Sequence, residues 1–149
     1  MKNANAWLGS MAVLAAIAIA ACGGATQEGA APASPASTDQ PSTGAKLYGD
    51  KCAICHGANG EGGAKAPPVV GKDALPLDPS PRAQYRKEKF HSVADVFKFV
   101  KAAMPPKAPG SLSDDEYWAI LAFDLKANGV DLGGRKLDAT TAPTFILHP

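Results

Sequence analysis

The segment Lys51-Cys52-Ala53-Ile54-Cys55-His56-Gly57 decides the fold of this 149-residue chain. Its two thiols stand three residues apart, and an imidazole follows the second directly. That C-x-x-C-H spacing lets both sulfurs add across the two vinyl groups of one haem while the histidine reaches the iron, so it reads as covalent haem attachment. A zinc site would need four nitrogen or sulfur ligands, and outside the motif the chain offers only Cys22, His91 and His148. A thioredoxin-like redox pair would want a βαβ surround, which the sequence lacks. A structural disulfide between Cys52 and Cys55 would leave His56 without a role.

Upstream of the motif, Lys2 is followed by an uncharged run from Trp7 to Ala21, apolar except for Gly9 and Ser10. This reads as a signal peptide over residues 1–21, since a membrane-spanning helix needs about 20 apolar residues. Cys22 is the third cysteine and falls just after this run. Ile19-Ala20-Ala21-Cys22 resembles a bacterial lipobox, which would lipidate the Cys22 sulfur and make it the mature N-terminus. The competing A-x-A-like site Ala18-Ile19-Ala20 would instead leave Cys22 as an idle thiol. From Gly23 to Thr43 nearly every residue is Gly, Ala, Pro, Ser, Thr or Gln, so residues 22–43 read as a lipidated cysteine and a flexible tether, with a span of roughly 25 Å.

Residues 44–149 are expected to form one domain with a C-terminal tail, as their length allows no more. With 15 basic against 14 acidic residues the chain is too balanced for nucleic-acid binding. Three helical segments are expected and no strand. The first runs from Gly44 to about Cys52, carrying Leu47 and Tyr48. The second starts after the N-cap Ser92 and runs to about Ala103, with Val93, Val96, Phe97, Val100 and Met104 on one face. Pro105-Pro106 stops it. The third opens with the capping box Ser113-Asp114-Asp115-Glu116, continues through an apolar run from Tyr117 to Leu125 that wraps more than one face, and stops at Asn128-Gly129. Residues 57–91 form a loop too long for a compact domain unless it wraps something. A haem is such a thing.

Residues 44–130 resemble a bacterial class I cytochrome c. Gly44 and Tyr48 match the small and aromatic residues of that family's N-terminal helix, and Ile120 and Phe123 match the C-terminal helix that meets them. Pro67-Pro68-Val69-Val70-Gly71 is similar to its P-x-L-x-G loop, with Val69 in place of leucine. The resemblance implies an all-α fold of three main helices and long loops around one covalent haem c. It also implies that the Pro67 carbonyl accepts the proton on the far nitrogen of His56, which fixes the imidazole tautomer and raises its basicity. Met1 and Met11 would leave with the signal peptide, so Met104 is the one methionine of the mature chain, and it stands where the family places the sixth iron ligand. His91 and His148 are rival ligands.

A thioether opposite histidine raises the haem potential and closes the position that oxygen or peroxide would need. The expected function is therefore one-electron transfer without bond chemistry, not enzymatic catalysis. An open or displaceable distal site would instead make the chain a haem enzyme or gas sensor, and a fixed haem subunit of a larger complex would use the same chemistry. The expected partners are redox proteins such as a dehydrogenase, a quinol-oxidising complex, an oxidase or a reaction centre. The expected location is the periplasmic side of a bacterial membrane, with a lipid anchor. Arg82, Arg86, Lys87, Lys89, Lys98, Lys101 and Lys107 make one stretch basic, against Glu88 and Asp95, and residues 114–131 are acidic. Such asymmetry could steer an acidic partner.

Overall fold

A computed structural model describes residues 39–81 and 83–149. The signal-peptide, lipobox and Cys22 expectations, most of the tether, and Arg82 lie outside the described residues. In chain order the elements are α1 (Gln40–Lys51), α2 (Ala53–His56), α3 (Val93–Ala103), α4 (Asp114–Ala127) and a short 3-10 turn at Ala142–Thr144. Among the described residues there is no strand, only an isolated bridge between Ser92 and Ile146. The all-α expectation holds. No helix of the described residues is long and apolar enough to cross a membrane.

α1 starts four residues before Gly44, inside the stretch expected to be tether. Pro41 sits in its first turn, where a missing N–H costs nothing. The Gln40 side chain fixes the start: its Nε2 donates to the Leu137 carbonyl and its Oε1 accepts from the Leu137 N–H, both at 2.8 Å. A side-chain amide thereby satisfies both backbone groups of a residue from the far end of the chain.

α1 crosses α4 closely, and Gly44 is the reason it can. A Cβ there would overlap the Ala119 carbonyl, so only glycine lets the two backbones approach. Next to this crossing the buried Tyr48 ring meets Phe123, centroids 5.1 Å apart and tilted by 47°.

α3 and α4 begin as their capping residues predict. The Ser92 N–H and hydroxyl both donate to Asp95 at 2.9 Å, and Ser113 exchanges bonds with Glu116. The other face of α4 packs on α3: Trp118, Leu121, Ala122 and Leu125 join Val93, Val96 and Phe90 in one cluster. Phe97 stacks on Trp118 at 3.6 Å between centroids. α4 is thus buried on opposite sides, as its apolar run wrapping more than one face predicts.

Composition alone does not say whether the C-terminal tail from Leu132 to Pro149 packs on the domain. The tail does: Leu132, Leu137, Ala142 and Phe145 are buried in the same core. Its backbone is tied to the start of α3 by Val93 N–H to Phe145 O (3.1 Å) and Leu147 N–H to His91 O (2.8 Å). His148 Nε2 reaches the Leu75 carbonyl at 2.8 Å, and since a carbonyl only accepts, that nitrogen carries the proton.

Candidate haem site

α2 is a single turn that presents Cys52 at its N-cap and Cys55 and His56 within it. It packs against α1. Both thiols are free and half-buried. Ile54, between them, is 77 % exposed, so this turn is not folded into the apolar core. Gly57 follows with φ +86°, a left-handed conformation that lets the chain reverse directly after His56. The reversal is held by Tyr48, whose hydroxyl donates to the Gly57 carbonyl at 2.9 Å, and by Gly62 N–H to His56 O at 2.7 Å.

His56 Nδ1 lies 2.8 Å from the Pro67 carbonyl. A carbonyl has no proton to give, so Nδ1 is the donor and the Nε2 lone pair is left for a metal. The P-x-x-x-G loop is fixed in turn from α4. Asn128 Nδ2 donates to the Val69 carbonyl at 2.8 Å, and Asn128 Oδ1 accepts from Gly71 N–H at 2.9 Å.

Met104 caps the C-terminus of α3 with extended backbone, and its N–H donates to Val100 O. The Met104–Pro105 peptide is cis. The Met104 carbonyl accepts from the Tyr117 hydroxyl at 2.7 Å, and the Tyr117 ring meets Phe97 edge-on. The rival ligands are placed otherwise: His91 is exposed, and the His148 ring is engaged by Leu75.

Along α4, Tyr117, Ile120, Asp124 and Asn128 recur at helical spacing and so share one face. One end of that face holds Met104 through Tyr117, and the other holds the Val69–Gly71 loop through Asn128. Asp124 in the middle is only 6 % exposed, and its Oδ1 has no hydrogen-bond partner. Burial raises its carboxyl to about 8. Burial first, then Asp124 and Cys55, push the Cys52 thiol up to about 12. Among the described residues no group of three or more His, Cys, Asp or Glu side chains converges to hold a bare metal ion.

The residues present fit a covalent haem: two accessible thiols one turn apart, an imidazole with its far nitrogen already engaged, and a thioether on a separate helix. Sequence reasoning passed over Asp124 and the hydroxyl of Tyr117. The signal for Asp124 was available, as a lone acid between Phe123 and Leu125 in an otherwise apolar run.

An all-α domain with such a donor set is a cytochrome c domain, and its cofactor is a covalently bound haem c with iron. The chain belongs to the family described as cytochrome c oxidase, cbb3-type, subunit III, whose profile matches residues 39–123. It is 32 % identical over 85 residues to a thiosulfate dehydrogenase of Stutzerimonas stutzeri, covering 54 % of this chain and 25 % of that one. It is 34 % identical over 99 residues to a thiosulfate dehydrogenase of Psychrobacter arcticus, covering 61 % and 29 %. The chain thus spans about a quarter of the length of these curated relatives. Among solved structures it is similar to the sulfane dehydrogenase SoxCD of Paracoccus pantotrophus, with a TM-score of 0.55 and 31 % identity, covering 71 % of this chain and 52 % of that one.

Proposed function

We propose that the chain is a one-electron carrier in which Cys52 and Cys55 would hold the haem and His56 and Met104 would ligate its iron. The observation that carries this is the 2.8 Å contact from His56 Nδ1 to the Pro67 carbonyl, which directs Nε2 toward a metal. When bound, the haem supplies a single redox centre whose potential the thioether raises. The chain's own residues orient and enclose. Pro67 holds the imidazole, Tyr117 holds the Met104 backbone, and the loop pinned by Asn128 covers the His56 side. Fixed ligands reorganise little when an electron arrives or leaves, which favours transfer over bond chemistry.

The named relatives support a dehydrogenase acting on sulfur compounds as the redox partner, and the proposal gives this chain the electron-transfer role beside it. A lipid anchor on Cys22 and an extracytoplasmic location complete the proposal, with residues 1–21 as the cleaved leader. Mass spectrometry of the mature protein would give Cys22 as a lipidated N-terminus, and any other N-terminus would sink the anchor.

The test of the core proposal is optical. Alkaline pyridine treatment of the purified chain should give the spectrum of a haem attached through two thioethers, and Cys52→Ser or Cys55→Ser should alter it. The ferric protein should be low-spin with a thioether charge-transfer band that Met104→Ala abolishes. A high-spin wild-type spectrum would favour the haem enzyme or sensor instead.

A further inference from the structure

We propose that Asp124 is a proton-binding group set against the haem, which takes up a proton from solvent when the haem gains an electron and so makes the reduction potential fall with rising pH. This rests on the haem attachment proposed above and goes beyond it.

The geometry comes from α4. Asp124 shares its face with Tyr117 and Asn128, which bind the Met104 carbonyl on one side and the Val69–Gly71 loop on the other. That face therefore lies between the Met104 segment and the loop that holds His56. Asp124 also acts on Cys52, a proposed point of haem attachment. A carboxyl in this position is buried, and one oxygen lacks any partner, which a purely structural acid would not be expected to leave so.

The groups around it leave the proton on Asp124 sensitive to one nearby charge. From α1 it is faced by Tyr48, whose hydroxyl is pushed well above its ordinary value by burial and then by Asp124, and by Cys52, which a thioether would remove from titration. Glu61 acts on Tyr48 from the loop after α2. On the other face of α4 the side chains of α3 and the C-terminal segment are apolar, among them Val93, Val96 and Phe145. Burial alone raises the carboxyl.

The ferric haem carries one more positive charge than the ferrous haem, so it favours the carboxylate. The ferrous state favours the neutral acid. One electron from the redox partner and one proton from solvent thus arrive together: Asp124 changes from carboxylate to carboxylic acid as iron changes from ferric to ferrous. In a low-dielectric site such a coupling is weakly screened.

The experiment is potentiometry of the haem-loaded chain from about pH 5 to about pH 10, on wild type and Asp124→Asn. A tenfold or larger ratio of ferric to ferrous acid constants is expected, which is a total fall of 59 mV or more for one electron. Asp124→Asn should lose most of that fall, and any remainder belongs to the haem's own carboxylates. Profiles that coincide in the two proteins would overturn the proposal. If Asp124→Asn does not retain haem, infrared redox-difference spectra of wild type at the steepest part of the profile decide. A carboxylic-acid carbonyl band that grows on reduction and shifts in heavy water supports it, and its absence overturns it. A flat profile in a protein with two thioethers refutes only this proposal. A chain with intact cysteines that never attaches haem refutes the electron-carrier reading, and this one with it.

Discussion

Tyr117 donates its hydroxyl proton to the carbonyl of Met104, so a single bond on α4 restrains the backbone of the proposed axial ligand. Tyr117→Phe leaves that carbonyl short of a partner in a half-buried place, a cost of about 1–3 kcal/mol. Part of that should appear as easier displacement of the thioether. Cyanide, which must push Met104 off the iron, should therefore bind the ferric variant about tenfold more tightly, as ~1.4 kcal/mol would give. Unchanged cyanide affinity would mean that the hydroxyl serves folding alone. Asp124 makes a second prediction, on stability. Its carboxyl is raised from 3.8 to about 8 in the folded chain, so between those values the folded state keeps a proton that the unfolded state has lost. Stability then falls as pH rises from about 4 to about 8 and levels beyond. Denaturant midpoints should decline less over that interval in Asp124→Asn than in wild type. The motif residues were legible in the sequence because their chemistry lies in spacing. The lone acid Asp124 in an apolar run was a visible signal, but its role and that of the Tyr117 hydroxyl were not legible, because each depends on what that face of the helix touches.

The crossing of α1 and α4 separates two glycines on one helix. A Cβ at Gly44 would overlap the Ala119 carbonyl, whereas one at Gly49 would meet nothing within 4 Å. Gly49→Ala should therefore stabilise the protein by about 0.5–1 kcal/mol, the ordinary helix-propensity gain. Gly44→Ala should reverse the sign and cost about 1–3 kcal/mol or more, since the backbones must part. Thermal or denaturant unfolding of the two variants would check it, and equal signs would mean that the helices cross with slack. α3 and α4 were legible to the residue at their starts, as Ser92 and Ser113 carry their caps locally. The start of α1 was not. Pro41-Ser42-Thr43 has the composition of the preceding tether, and what makes it helical is the Gln40 amide bonded to Leu137, 97 residues away. Tertiary contact overrode composition there. α2, at four residues, is too short for periodicity to register.

The charge asymmetry of the sequence is largely cancelled by the fold. Lys101 on α3 meets Asp114 on α4 at 2.6 Å, which joins the basic stretch to the acidic one, and Lys136 of the C-terminal segment meets Asp115 at 3.3 Å, so two of the acids are balanced across the packing. Lys89 pairs with Asp78 at 3.0 Å and Lys98 lies 3.7 Å from Asp95. Arg86 is turned inward: it donates to the carbonyls of Glu88, Pro76 and Leu77 and stacks over Phe90 at 3.5 Å. It shapes the loop before α3 instead of reaching a partner. Such exposed pairs add little stability, about 0–1 kcal/mol each, but they remove the net field a partner would feel. Of the basic stretch, Arg86, Lys87 and Lys107 make no ion pair among the described residues, and Arg86 is buried. Steering should accordingly be weak. Oxidation of the reduced protein by ferricyanide should slow by less than about tenfold as salt rises far enough to shrink the screening length from about 30 Å to about 3 Å. Lys101→Gln should flatten that slope by leaving the Asp114 charge unbalanced, and Asp114→Asn should steepen it by exposing Lys101. Stopped-flow rates across the salt series decide between this and the strip the sequence suggests: a fall of a hundredfold or more in wild type would show that the basic residues act together despite their partners.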